Sequence, residues 1–175
     1  MRRTATLSLG ALAIVAASAI VVLSLSAFDR EATPPRKTNI ICIPAAAFQP
    51  EHSNKDYHND GSRLYSASGY GSFVAPLILP HGSKIRKIVL VCEDSSDSDE
   101  ITLALCRESG EPVFGSYVCR VQSEGADYNE RSFEATLSPT YLIDNINNQY
   151  YLRVEIYEHI SHCFKHAKVY YRGSW

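Results

Sequence analysis

The chain has 175 residues and a formal net charge of −2, with 17 Lys+Arg against 19 Asp+Glu. That is room for one domain plus an N-terminal processing segment. The near-balanced charge lacks the basic footprint of a nucleic-acid binder, and the length allows a core to form without metals or cross-links.

Arg2 and Arg3 are followed by a run without charge from Thr4 to Phe28, ending in the small residues Ser24, Ser26 and Ala27. A basic start, an apolar middle and a small-residue end read as a secretory signal over 1–27, cleaved near Ala27. The run is also long enough to span a bilayer, which takes about 20 helical residues, so an uncleaved signal anchor is the rival reading. In either case the chain is expected to be exported, secreted or periplasmic if cleaved and membrane-bound only through this segment if not. Residues 28–40, with Pro34-Pro35, read as an extended linker before a domain over 41–175. All five cysteines (Cys42, Cys92, Cys106, Cys119, Cys163) follow the leader. An oxidising compartment permits disulfides, so at least one bridge is expected, and the odd count leaves one thiol over.

Along the domain, Asn39–Pro44 is a candidate edge strand. Gln49–Gly71 reads as a long polar loop with a short strand near 63–66. Ser72–Gly82 carries Pro76 and Pro80 and is expected at a sheet edge or corner. Ile85–Cys92 and Ile101–Arg107 are β-rich runs around the acidic Glu93–Glu100, the pattern of an antiparallel hairpin with a long loop. Val113–Gln122 is β-prone. Arg131–Leu137 and Tyr150–Tyr157 alternate apolar and polar residues, and Phe164–Arg172 ends the series with Ala167, Val169 and Tyr171 inward. Helical periodicity is not convincing after residue 28. Seven or eight short strands with turns between them give an all-β chain: a single-domain antiparallel β-sandwich, jelly-roll-like or immunoglobulin-like.

Ala47-Phe-Gln-Pro50, Phe73-Val-Ala-Pro76, Leu79-Pro-His-Gly82, Asp94–Asp99 before Ile-x-Leu-x-Leu105, and Tyr150–Ile156 before Val169-Tyr-Tyr171 fall in an order that resembles a loose group of small exported, uncharacterised bacterial proteins with a predicted β-sandwich domain. The resemblance covers about Pro44 to Tyr171. It implies export and a sandwich, and it transfers no catalytic residues.

Three features could carry chemistry. Asp94, Asp97, Asp99 and Glu100 offer hard oxygen ligands of the kind Ca²⁺ takes, although the spacing is not that of an EF-hand and a solvated Ser/Asp turn explains them as well. His159, His162, Cys163 and His166 offer the N and S ligands of Zn²⁺ or Cu²⁺, but strand alternation would put Phe164 and His166 opposite Cys163 and Lys165 and split the set. Tyr151 and Tyr157, with Tyr170, form an outward aromatic row suited to stacking on sugars or peptides. No Gly-x-Ser-x-Gly elbow, His-Glu-x-x-His helix or phosphate loop occurs, so no catalytic residue and no required cofactor is assigned. The reading is an exported, non-enzymatic interaction module for an extracellular protein or glycan, with no nucleic-acid partner. A metal-binding protein and an unidentified hydrolase are its rivals.

Overall fold

The computed structural model describes residues 37–109, 116–157 and 162–173. Its eleven strands are β1 (Asn39–Pro44), β2 (Gln49–Pro50), β3 (Tyr57–Asn59), β4 (Leu64–Ser66), β5 (Gly71–Pro76), β6 (Lys84–Asp94), β7 (Thr102–Ser109), β8 (Ser116–Gln122), β9 (Asp127–Leu142), β10 (Asn148–Ile156) and β11 (His162–Arg172). The first sheet runs β3-β4-β11-β6-β9, with β1 also paired to β11; the second runs β2-β5-β10-β7-β8. Every pairing is antiparallel.

The four-stranded halves β4-β11-β6-β9 and β5-β10-β7-β8, with the chain passing repeatedly between them, make a jelly roll rather than an immunoglobulin-like sandwich. β4 is the short strand expected near 63–66, and β2 and β3 are two further short strands in the stretch expected to be a loop. The leader, the residue pair Glu111-Pro112 and the start of the Val113–Gln122 run lie outside the described residues.

The expected hairpin does not form. β6 pairs with β9 and β11 in one sheet, while β7 pairs with β8 and β10 in the other, so residues 95–101 arch between the sheets. The reason lies in the residues themselves. Val89 and Val91 on β6 are buried on the face away from the core as well as Ile88 and Leu90 toward it, and all of Thr102–Cys106 on β7 is buried. Strands this apolar on both faces belong at the centre of a sheet, each with two partners.

Phe48, Leu64, Phe73, Leu90, Leu105 and Phe164 are among the fully buried core residues between the sheets. Phe48 and Phe164 meet edge to face with ring centroids 4.7 Å apart. Phe164 and Ala167 both enter the core although they lie three apart. Strict alternation forbids that, and the register shift between Phe164 and His166 against β6 supplies the extra residue. His166 therefore does not share a face with Phe164, contrary to the alternation expected from sequence.

The sandwich has two distinct ends. At the arch end, residues 95–101 and 123–126 cross from sheet to sheet. At the entry end, the chain enters at Lys37, residues 77–83 and 143–147 turn, and β11 finishes. The two turns at the entry end are fastened: Gly82 N–H donates to Ile143 O (2.9 Å) and Ile143 N–H to Ser83 O (2.8 Å). Gly82 holds φ of 78°, a left-handed value that suits glycine.

The expected disulfide is absent, and all five cysteines are free thiols. Strand geometry keeps them apart. Cys92 lies opposite Phe164 and faces the core, whereas Cys163 lies opposite Glu93 on the other face of the same sheet. Cys106 and Cys119 sit on adjacent strands, but Cys119 packs on the core and Cys106 lies beneath Tyr151 on the outer face.

Candidate functional site

The outer face of the second sheet gathers the aromatic and charged side chains. On β10, alternation sends Tyr150, Leu152, Val154 and Ile156 inward and Gln149, Tyr151, Arg153 and Glu155 outward. Tyr157 follows on the same row. Beside them, the outward residues of β7 are small: Thr102, Ala104 and Cys106 lie opposite Glu155, Arg153 and Tyr151. All three are buried, so longer neighbours close over them and they form the floor of the face.

Those neighbours are locked together. Arg153 pairs with Glu51 (2.5 Å) and donates to the Tyr117 hydroxyl (3.1 Å). Tyr117 donates in turn to Glu155 (3.2 Å), and Ser72 donates to the second Glu51 oxygen (2.7 Å). The guanidinium also lies 5.8 Å from the ring centroids of both Tyr117 and Tyr151. Burial works against the charge on Arg153, but the Tyr117 hydrogen bond and the Glu51 carboxylate outweigh it and hold the group above its ordinary pKa. Tyr70 packs edge to face on Tyr157 at 5.3 Å. Its pKa is raised, first by burial and then by the Glu155 charge. Pro50, Glu51, Val74, Pro76, Tyr151 and Arg153 line a groove of about 540 Å³ on this face.

Tyr151 and Tyr157 thus share one surface, roughly 20 Å apart along the strand direction at 3.3 Å per residue. Tyr170 does not join them. It faces out from the first sheet, on the opposite side of the sandwich, with Lys87 Nζ 4.7 Å from its ring centroid. Arg153 and Glu155 were visible in sequence as members of the outward row. Glu51, Tyr70 and Tyr117 come from distant segments, and only the strand order β2-β5-β10-β7-β8 brings them in.

The two metal-type clusters meet in an unexpected way. β11–β6 pairing sets His162 opposite Asp94, and His162 Nε2 lies 3.1 Å from Asp94 Oδ1, with both side chains almost wholly buried. Asp94 Oδ1 also accepts the Ser96 N–H (3.0 Å), and Oδ2 accepts the Ser123 hydroxyl. Ser123 Oγ itself accepts the Ile101 N–H at 2.8 Å. Asp94 thus ties the end of β6 to β11 and to the start of β7 and the end of β8, while Asp97 and Glu100 are exposed. Cys163 points away from the core, and His166 is half-buried with its pKa lowered, first by burial and then by Lys168. His159 lies outside the described residues. Among the described residues, no three His, Cys, Asp or Glu side chains converge where a metal ion could sit.

By sequence, no family model and no curated protein matches this chain. Solved structures resemble it. They include the CBM36-1 domain of a multidomain xylanase from the hindgut metagenome of Trinervitermes trinervoides, at 12% identity over 78% of this chain and 99% of that one, with TM-score 0.45. The C-terminal CBM6 of LamC, a marine laminarinase from Zobellia galactanivorans, shows 14% identity over 75% and 98%, with TM-score 0.46. The xylan-binding module CBM15 shows 14% identity over 77% and 97%, with TM-score 0.46. Each is a likeness of fold.

Proposed function

We propose that this chain is an exported, non-catalytic binding module whose second-sheet outer face takes a glycan. One observation carries the reading: Tyr70, Tyr117, Tyr151 and Tyr157 surround an Arg153–Glu51–Glu155 network fixed over a small-residue floor. Flat rings accept the C–H faces of sugars. Sugar hydroxyls both donate and accept, and so can meet a guanidinium and a carboxylate side by side. β10 and β7 are interior strands whose backbone groups are used in the ladder, so the face offers a peptide no strand to extend. The separation of Tyr151 from Tyr157 favours an oligosaccharide over a single sugar. Export is supported by Arg2-Arg3 ahead of the uncharged run, and an intact mass from the exporting host tests it.

The binding test is glycan-array screening followed by calorimetry. Tyr151→Ala and Tyr157→Ala are each expected to weaken binding about five- to tenfold, the worth of one aromatic contact. Tyr128→Ala, on the other sheet and 83% exposed, is expected to bind as the parent does. No glycan bound, or tyrosine variants that bind unchanged, would refute the reading.

A further inference from the structure

The exposed large hydrophobic residues divide by type and place. The aliphatic ones among the described residues are Ile40, Ile78, Leu142 and Ile146, at 57%, 68%, 55% and 79% exposure, and all four lie toward the entry end. The others are tyrosines, of which Tyr70, Tyr117 and Tyr157 belong to the face described above. The aliphatic side chains are held out by ordered backbone. Besides the two bonds that fasten these turns, Asn145 Nδ2 donates to Leu79 O (2.7 Å) and Ile146 N–H donates to Asp144 (3.1 Å).

Cations surround them. Lys37, Lys84, Arg86, Lys87 and Arg172 sit at the same end, and strand register sets Lys84 directly opposite Arg172. Like charges in that position repel. Among the described residues, neither has an ion-pair partner, and only Lys87 is neutralised, by Glu134 at 2.5 Å. The acidic residues Asp97, Asp99, Glu100, Glu124 and Asp127 lie at the arch end instead. At the entry end, Glu108 is exposed near Ile146, and Asp144 is engaged by Ile146 N–H and Asn147 and lies 3.8 Å from His81.

We propose that the entry end is a contact surface for a phospholipid bilayer carrying anionic headgroups. Ile78, Leu142 and Ile146 enter the boundary between headgroups and acyl chains, and Lys84, Arg86 and Arg172 meet the phosphates around them. Charge complementarity selects this occupant, and so does chain length. The uncharged run Thr4–Phe28 is long enough to span a bilayer. Residues 29–36 join it to Lys37 and reach at most about 30 Å when fully extended. With that segment retained, Lys37 lies within that covalent reach of the bilayer.

The test places the full chain in nanodiscs of phosphatidylcholine alone and of phosphatidylcholine with phosphatidylglycerol. Lysine acetylation is read by mass spectrometry, with Lys55 as the internal reference. Lys37 and Lys84 are expected to lose labelling severalfold in the anionic discs and to regain it at high salt. The Lys84→Glu, Arg172→Glu double variant should abolish the protection at Lys37, and Ile146→Ser should weaken it at both lysines. Equal labelling in both bilayers overturns the proposal. So does protection that persists in detergent and grows with protein concentration, which would mark a second copy as the occupant.

Discussion

Asp94 shows how a single residue can change meaning between sequence and structure. In sequence it heads an acidic run that suggests calcium; in the fold it is a buried acceptor for Ser96 and Ser123 and lies 3.1 Å from His162 Nε2. Removing it leaves the buried Ser123 hydroxyl and the Ser96 N–H short of an acceptor, so Asp94→Ala is expected to cost about 1–3 kcal/mol. Asp94→Asn, which keeps one carbonyl oxygen, should cost less; equal urea midpoints for parent and alanine variant would contradict this role. The thiols give a second residue-level prediction. Burial pushes Cys92 up to about 12 and Cys106 and Cys119 to about 11, with the neighbouring Asp94 adding to the effect at Cys92, whereas Cys42 is exposed. Thiolates are the reactive form. Maleimide at neutral pH should therefore modify Cys42 rapidly and the other three slowly until the protein is unfolded, as mass spectrometry can resolve. Composition reveals that five cysteines exist, but their pairing depends on which face each one occupies, and that is settled by register between distant strands.

At the level of elements, alternation predicted β10, the middle of β9 and the inward Ala167, Val169 and Tyr171 of β11, because side-chain direction along a strand is a local property. Partner choice is not local. The proximity of β6 and β7 in the chain suggested a hairpin, yet both are central strands and each takes two partners in its own sheet. The doubly apolar pattern of Ile88–Cys92 was the visible sign that β6 would be central. Nothing in Ile101–Arg107 said that its partner lay elsewhere. The arch sets no register between β6 and β7, so its length should be forgiving. Inserting two glycines after Asp97 is expected to lower stability by less than about 1 kcal/mol in a denaturant titration, since loop-closure entropy grows slowly. The bulge at Lys165 is the opposite case. It was hidden in sequence because both parities of Phe164–Arg172 carry apolar residues. It allows Phe164 to reach Phe48, and Phe164→Ala is expected to cost about 3–5 kcal/mol.

At the scale of the molecule, stability should follow pH in two stages. Burial and then Lys168 lower His166 below its ordinary value near 6.5, so the fold favours the neutral ring. That contribution is complete above the unfolded value and fades as pH falls through the lowered one. Hydrogen bonds lower Asp60, chiefly from Ser62; Asp127, chiefly from Asn129; and Asp144, chiefly from Asn147. Their contribution is present above the ordinary carboxylate value near 3.9 and is lost as pH falls through the depressed values. Melting temperature against pH should decline first below about 6.5 and again below about 4, and His166→Gln should flatten only the first decline. The position of β11 has one more consequence, for the order in which the fold can be made. Among the described strands it is made after all the others, yet β1, β4 and β6 all pair with it. Most pairings therefore join residues far apart in the chain, the arrangement that folds slowly. The first sheet therefore cannot close until β11 has left the ribosome, and β1, β4 and β6 wait for it without their shared partner.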